Sequence, residues 1–193
     1  MYDMEAAVAR ADARQRSQPG AISHEESVPT AIELCERHAH RVYRYAAMVS
    51  RGDVEAEDLA QDALERAIRR LDSFDASRGT VDAWLWRIVL SAAADAGRLA
   101  KRRYLLVDRL RAFADRDHAT EPPPAIPAND QQLLGAIREL GGRDRSIIAL
   151  RFGAGLGYAE IGDALGMTPA AAGVAGRRAL ARLRRRLEKG SQR

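Results

Sequence analysis

Residues 52–65 hold Asp53, Glu55, Glu57, Asp58, Asp62 and Glu65, and no basic residue. Carboxylates this dense suit acid–base catalysis, metal ligation or attachment of a cationic partner. Acid–base work needs a matched reacting group within hydrogen-bond reach. A pair such as Glu57-Asp58 on a polar helical stretch has none nearby in sequence. Cys35, His38 and His40 hint at a metal, but at helical spacing His40 points away from the other two, and no second cluster completes a tetrahedral set. No glycine-rich loop has the spacing that cradles a phosphate. No catalytic residue, metal or cofactor is therefore expected, and the chain does not read as an enzyme.

At about 100° per residue, Ala56, Leu59, Ala60, Ala63, Ala67 and Leu71 share one helix face, and Glu55, Asp58, Asp62 and Glu65 lie almost opposite. The stripe has no i,i+4 cation until Arg66 and Arg69. By pattern it fits first a solvated face near a helix N-terminus, and it also fits a surface free to meet a basic partner.

Two further stretches suit nucleic acid. Trp84 and Trp86 are roughly 200° apart on a helix, so one packs inward and the other is partly exposed. An exposed aromatic beside arginines suits base stacking, and two tryptophans at a core edge would give the same pattern. Arg87, Arg98, Lys101, Arg102 and Arg103 follow. Near the C-terminus, Tyr158 to Leu165 is a short apolar helix. Gly166-Met167 is a turn, and Thr168-Pro169 caps and opens a final helix. This helix-turn-helix layout places its second helix for a major groove. Arg177, Arg178, Arg182, Arg184, Arg185, Arg186 and Lys189 lie on that helix.

These residues need helices to hold them, and strand signals are nearly absent. Helices are expected from Thr30 to Met48, over 54–71 with Asp53 as cap, and from 81 to 103 or beyond with Thr80 as cap. Further helices are expected over 130–140 (capped by Asn129), 143–152, 158–165 and from Pro169 to about 187. Glu121-Pro122-Pro123-Pro124 and Pro127 cannot continue a helix. The fold class is all-α: two small helical bundles (31–103 and 130–193) joined by a proline-containing linker (104–129), after an N-terminal tail (1–30) that reads as mobile or partly helical.

The whole chain has 193 residues and a formal charge of +4, with 29 arginines and two lysines. Residues 31–103 carry 13 basic and 12 acidic residues, whereas residues 130–193 carry 12 and 6. No apolar run reaches the ~18–20 residues of a membrane span. Nothing near Met1 has the apolar block of a signal peptide. The single Cys35 excludes an internal disulfide. A cytoplasmic protein is the expectation. Abundant alanine and arginine together also fit a codon bias.

In this order, the three stretches resemble the bacterial RNA polymerase sigma factors, and most closely the small extracytoplasmic-function (ECF) type. Asp53 to Ala67 looks like that family's polymerase-binding helix. Phe74 to Thr80 with Ala83 to Ile88 looks like its promoter-melting segment, and Arg145 to Phe152 with Tyr158 to Met167 like its second-domain helix-turn-helix. The resemblance implies a factor that binds core RNA polymerase and directs promoter recognition and opening. Glu57, Asp58, Gln61, Asp62 and Arg66 would face the clamp helices of the largest polymerase subunit. Arg78, Trp86, Arg87, Ser91, Asp95, Arg98, Lys101 and Arg102 would meet the downstream promoter element, with a flipped base held near Asp75 to Thr80. Arg151, Thr168, Arg177, Arg178 and Arg182 would meet the upstream element. The linker would thread near the polymerase's active-site channel, and an anti-sigma protein is an implied regulator.

The sequence departs from the family pattern in three places. Leu90, Ser91, Ala96 and Gly97 stand where basic or polar residues are common, with Asp95 and Arg98 keeping that character. The base-facing start of the final helix is Ala170, Ala171, Val174 and Ala175, which can touch a thymine methyl but cannot make a bidentate hydrogen bond. Ala172 and Gly176 replace larger apolar anchors, so either the helices approach closely or the second bundle is loose. These departures motivate an alternative: a sigma-like interaction protein that binds polymerase or a regulator but reads promoters weakly.

Overall fold

The computed structural model describes residues 28–111 and 128–190. The expectations for the tail before residue 28 and for the proline run lie outside the described residues. Seven α-helices and no strand occur among those described: α1 (Ala31–Val49), α2 (Asp53–Arg69), α3 (Val81–Arg111), α4 (Ala128–Arg138), α5 (Gly142–Ile148), α6 (Tyr158–Leu165) and α7 (Pro169–Gly190).

Helix starts follow local chemistry. Thr30 Oγ1 accepts from the Glu33 N–H at 3.3 Å, and the Glu33 carboxylate accepts from the Thr30 N–H at 2.8 Å, a complete capping box. Helix α2 is capped by Gly52 rather than Asp53, which is its first helical residue. The Glu55 carboxylate instead reaches back to the Arg51 N–H at 3.0 Å. Helix α4 begins at Ala128, one residue before the expected Asn129 cap. Beyond α5 the chain widens into a single π-turn over Ala149–Gly153, closed by the Ala154 N–H donating to the Ala149 carbonyl at 2.9 Å. Helix α6 ends at Gly166, whose φ of 66° is the left-handed conformation glycine adopts without strain.

The first bundle packs α1, α2 and α3 around Leu34, Val42, Tyr45, Ala63, Leu85 and Trp86, all fully buried or nearly so. In the second bundle, α7 lies across α4, α5 and α6. Its tightest approach is at Gly176, where a Cβ would stand 2.7 Å from the Tyr158 ring. Small residues here therefore mean close packing, not looseness: the ring of Tyr158 occupies the space a larger residue at 176 would need.

The two bundles also pack on one another, which no pattern in the sequence signalled. One continuous cluster of buried side chains runs from Leu34 and Trp86 through Leu150, Leu156 and Ile161. Arg41 Nε donates to the Ala154 carbonyl at 2.9 Å, Arg44 Nη2 to the Phe152 carbonyl at 2.9 Å, and Arg138 Nε to the Ser50 carbonyl at 3.1 Å. A Cβ on Gly153 would lie 2.8 Å from Met48 Sδ, so glycine permits this approach of the π-turn to α1.

Candidate polymerase and nucleic-acid surfaces

Helix α2 buries Ala56, Leu59, Ala60, Ala63 and Ala67 against α1 and α3, which turns its acidic side outward. Glu57, Asp58 and Gln61 are exposed. Glu57 and Asp58 have no ion-pair partner among the described residues, while Gln61 donates to Glu65 at 3.0 Å. The expected cations close the stripe: Asp62 pairs with Arg66 at 2.7 Å and Glu65 with Arg69 at 3.5 Å. Arg66 is turned across the helix junction rather than outward, with its Nη1 2.7 Å from Asp95 of α3.

Between α2 and α3 lies the loop that shapes the promoter-melting segment of the resemblance. Asp75 Oδ1 accepts from the Ser77 N–H at 2.9 Å and from the Ser77 hydroxyl at 2.7 Å. Those bonds hold the Asp75 carboxyl below its usual pKa range. Gly79 follows at a φ of 136°, a conformation that L side chains rarely adopt. The Phe74 ring is buried and meets the half-buried Trp84 ring edge-on, 5.7 Å between centroids.

The two tryptophans exchange their expected roles. Trp86 is 1% exposed, with its ring edge-on to Tyr45 at 5.8 Å and the Arg41 guanidinium 5.8 Å above it. It faces the seam with the second bundle, so it is a core residue and not a DNA contact. Trp84, roughly 200° away around the helix, is the partly open ring. The alternation was visible in the sequence, but which ring faced inward depended on the second bundle covering that side of α1 and α3.

On the outer side of α3, Arg87, Ser91, Arg98, Lys101 and Arg102 are exposed, as is Arg78 in the preceding loop. Asp95 is half-buried. Its Oδ2 is taken by Arg66 and its Oδ1 by Arg98. Both bonds pull its carboxyl below the usual range, so it stays ionised and fully occupied, a support for Arg98 more than a base reader.

In the second bundle, Arg151 is also corrected. It is 5% exposed; its Nη1 donates to the Leu156 carbonyl at 3.0 Å, and its guanidinium lies 5.1 Å from the Tyr158 ring centre. It ties the π-turn to the start of α6 and does not face DNA. The run Ile147-Ile148-Ala149-Leu150 before it was the available signal that its surroundings are core. Thr168 Oγ1 caps α7 by accepting from the Ala171 N–H at 3.2 Å. Arg177 and Arg178 are exposed with no ion-pair partner among the described residues, and Arg182 is held by Asp144 at 2.6 Å. Ala170, Ala171 and Val174 are exposed at the start of α7, so its reading end is apolar in three dimensions too. No group of residues that could hold a metal occurs among those described.

These features have counterparts in known proteins. The family model for Sigma-70 region 2 matches residues 34–103, and that for Sigma-70, region 4 matches residues 130–183. The ECF RNA polymerase sigma factor SigE of Mycolicibacterium smegmatis is 32% identical over 76% of this chain, a match that spans 57% of that relative's length. The RNA polymerase sigma factor CarQ of Myxococcus xanthus is 31% identical over 79% of this chain and 86% of its own. Among solved structures, CnrH in complex with the cytosolic domain of CnrY shares the fold over 95% of both chains, with a TM-score of 0.59 at 22% identity. The sigma factor RpoE of Bartonella quintana, solved with the anti-sigma factor NepR, has a TM-score of 0.57 at 23% identity, covering 78% of this chain and 91% of that one. The chain belongs to the ECF-type RNA polymerase sigma factors.

Proposed function

We propose that this chain is a non-enzymatic, cytoplasmic initiation factor: it binds core RNA polymerase through α2, then recognises and helps open a promoter through α3 and α7. The observation that carries this reading is the outward pair Glu57 and Asp58, without partners among the described residues, on a helix fixed directly beside α3. A row of carboxylates left unpaired suits a basic protein surface, and the exposed cations of α3 lie on the neighbouring helix. Asp62 and Gln61 extend the polymerase face. Arg66 is placed to support it, not to touch the partner.

Promoter opening fits the loop and Trp84. Flipping a base out of a duplex and stacking it on an aromatic ring offset each other to within a few kcal/mol, so no nucleotide hydrolysis is required. Arg78, Arg87, Ser91, Arg98, Lys101 and Arg102 would follow the opened strand. Arg177, Arg178 and part of Arg182 would meet the upstream duplex at its phosphates. An anti-sigma regulator is supported by the structure of the RpoE relative, which was solved with the anti-sigma factor NepR.

Runoff transcription with purified core polymerase is the test. Promoter-dependent transcripts of defined start support the reading; their absence while polymerase is bound selects the alternative, a sigma-like interaction protein. The exposed Ala170, Ala171 and Val174 are the observation favouring that alternative, because they leave the upstream contact with little base discrimination.

A further inference from the structure

Four side chains form an unbroken run of charge pairs between the acidic side of α2 and the cationic side of α3. Arg66 grips Asp62 at two points, Nε to Oδ1 at 2.8 Å and Nη2 to Oδ2 at 2.7 Å. The remaining arm of the same guanidinium, Nη1, donates to Asp95 Oδ2 at 2.7 Å. The other oxygen of Asp95 accepts from Arg98. Arg66 is 28% exposed, whereas Arg98 at the far end is 65% exposed.

The geometry points to a relay: Asp62, Arg66, Asp95 and Arg98 couple the polymerase surface to the DNA surface, with Arg66 and Asp95 as positioning residues and Arg98 as the group they release to DNA. The inference rests on the proposed function. Its logic is competition for a fixed set of donors and acceptors. A guanidinium offers five N–H donors in a planar fork, and a carboxylate pair takes them best two at a time. When a polymerase cation captures Asp62, two arms of Arg66 lose their acceptor. The nearest remaining carboxylate is Asp95, already bonded to it. Asp95 then satisfies Arg66 with both oxygens and lets go of Arg98, whose guanidinium becomes available to a phosphate. Removing Arg66 has the opposite result. Asp95 is left with Arg98 as its only cation, holds it more firmly, and stands as an uncompensated negative charge on the DNA-facing helix. By linkage, DNA that captures Arg98 also strengthens the polymerase contact.

The neutralisation of Asp62 can be imitated without polymerase. The free full-length chain is titrated against a mixed-sequence, single-stranded oligonucleotide by fluorescence anisotropy. Asp62→Asn is compared with Asp53→Asn, which removes the same charge from the same helix outside the run. Arg66→Gln is likewise compared with Arg69→Gln. Asp62→Asn is expected to tighten oligonucleotide binding by about fivefold relative to Asp53→Asn, and Arg66→Gln to weaken it by about fivefold relative to Arg69→Gln. Both differences should vanish in an Arg98→Ala background, a non-additivity that general destabilisation would not produce. Equal affinities within each matched pair, or differences that persist without Arg98, overturn the relay. If that happens while the wild-type chain still directs initiation, the proposed function stands. If the wild-type chain fails to direct initiation, that reading falls independently.

Discussion

The two bundles carry their charges in opposite ways. In the first, cations and anions nearly cancel, and Asp62, Glu65, Asp82 and Asp95 each hold an arginine of a neighbouring turn or helix. On α2, Glu57 and Asp58 have no ion-pair partner among the described residues, and with the exposed Asp53 and Glu55 they form a small patch of one sign in a defined place. In the second, cations outnumber anions two to one. Three arginines of α7 are paired, but Arg177 and Arg178 stand free of ion pairs among the described residues. A paired surface depends on which residue stands where; a surplus of charge acts largely through its sum. The first bundle should therefore be sensitive to single positions, and the second should respond gradually, with salt.

The largest effect should come from the ring that the first bundle buries. Trp86→Ala is expected to lower stability by about 3–5 kcal/mol, the range for emptying a large aromatic site. Chemical denaturation followed by circular dichroism would measure it. Trp84→Ala should lower stability by only about 1 kcal/mol, the value of an edge-on aromatic contact, yet reduce promoter opening. If the two substitutions are equally destabilising, the division between a core ring and a DNA-facing ring is wrong.

Next in size is reversal of the acidic patch. Asp58→Lys with Asp62→Lys should weaken binding to core polymerase at least about tenfold, because like charges then face each other across the contact. Equilibrium binding to labelled core polymerase would test this. Unchanged affinity would remove the acidic helix from the polymerase contact altogether.

Much of this arrangement was legible in the sequence, for reasons that differ between the bundles. Helices α1, α2 and α6 announce themselves through apolar periodicity and caps such as Thr30, which are local. The outward direction of Glu57 and Asp58 follows from the alanines opposite them. The fate of Trp86 was not legible, because it depends on contacts with α1, distant in sequence, and that of Arg151 was signalled only by the apolar run before it. Trp86 packs against Tyr45 and Arg41 of α1, and Arg151 donates to the Leu156 carbonyl across the loop before α6. The seam itself rests on Arg41 and Arg44 donating to backbone carbonyls. Any residue can supply such a carbonyl, so the partner leaves no trace in composition. Gly153 and Gly176 carry a partial signal: each glycine sits where a Cβ would strike a neighbour, but the sequence does not say which neighbour.

The second bundle's surplus charge gives a smaller, graded prediction. Each phosphate contact contributes about −0.9 to the slope of log affinity against log salt on duplex DNA. Arg177→Ala with Arg178→Ala should therefore flatten the slope by roughly 2 and weaken binding to all sequences alike. A salt titration on two unrelated duplexes would measure both properties. A loss confined to one sequence would show that α7 reads bases after all, through contacts its apolar start does not suggest.

The smallest effect concerns pH and bears on the first bundle alone. His38 is 1% exposed on α1, with its Nε2 3.4 Å from Asp82 Oδ1 and its Nδ1 without a hydrogen-bond partner among the described residues. Burial pushes its pKa below the ordinary histidine value. Asp82 works in the opposite direction, and Arg41 and Arg37 reinforce the burial effect. A histidine that folds in its neutral form binds fewer protons folded than unfolded, so stability increases with pH through the window below the unfolded value of about 6.5. The contribution is fully present above that value and is lost as the solution is acidified toward the folded pKa. The slope from one such group cannot exceed about 1.4 kcal/mol per pH unit. Urea unfolding midpoints at pH 7.5 and pH 5.5 should therefore fall further for the wild-type chain than for His38→Gln, which has no proton to take up. The second bundle has no histidine among its residues. Acid in this range should thus loosen the bundle that holds the acidic helix α2 first, and equal midpoint shifts for the two proteins would mean that His38 is not the group responsible.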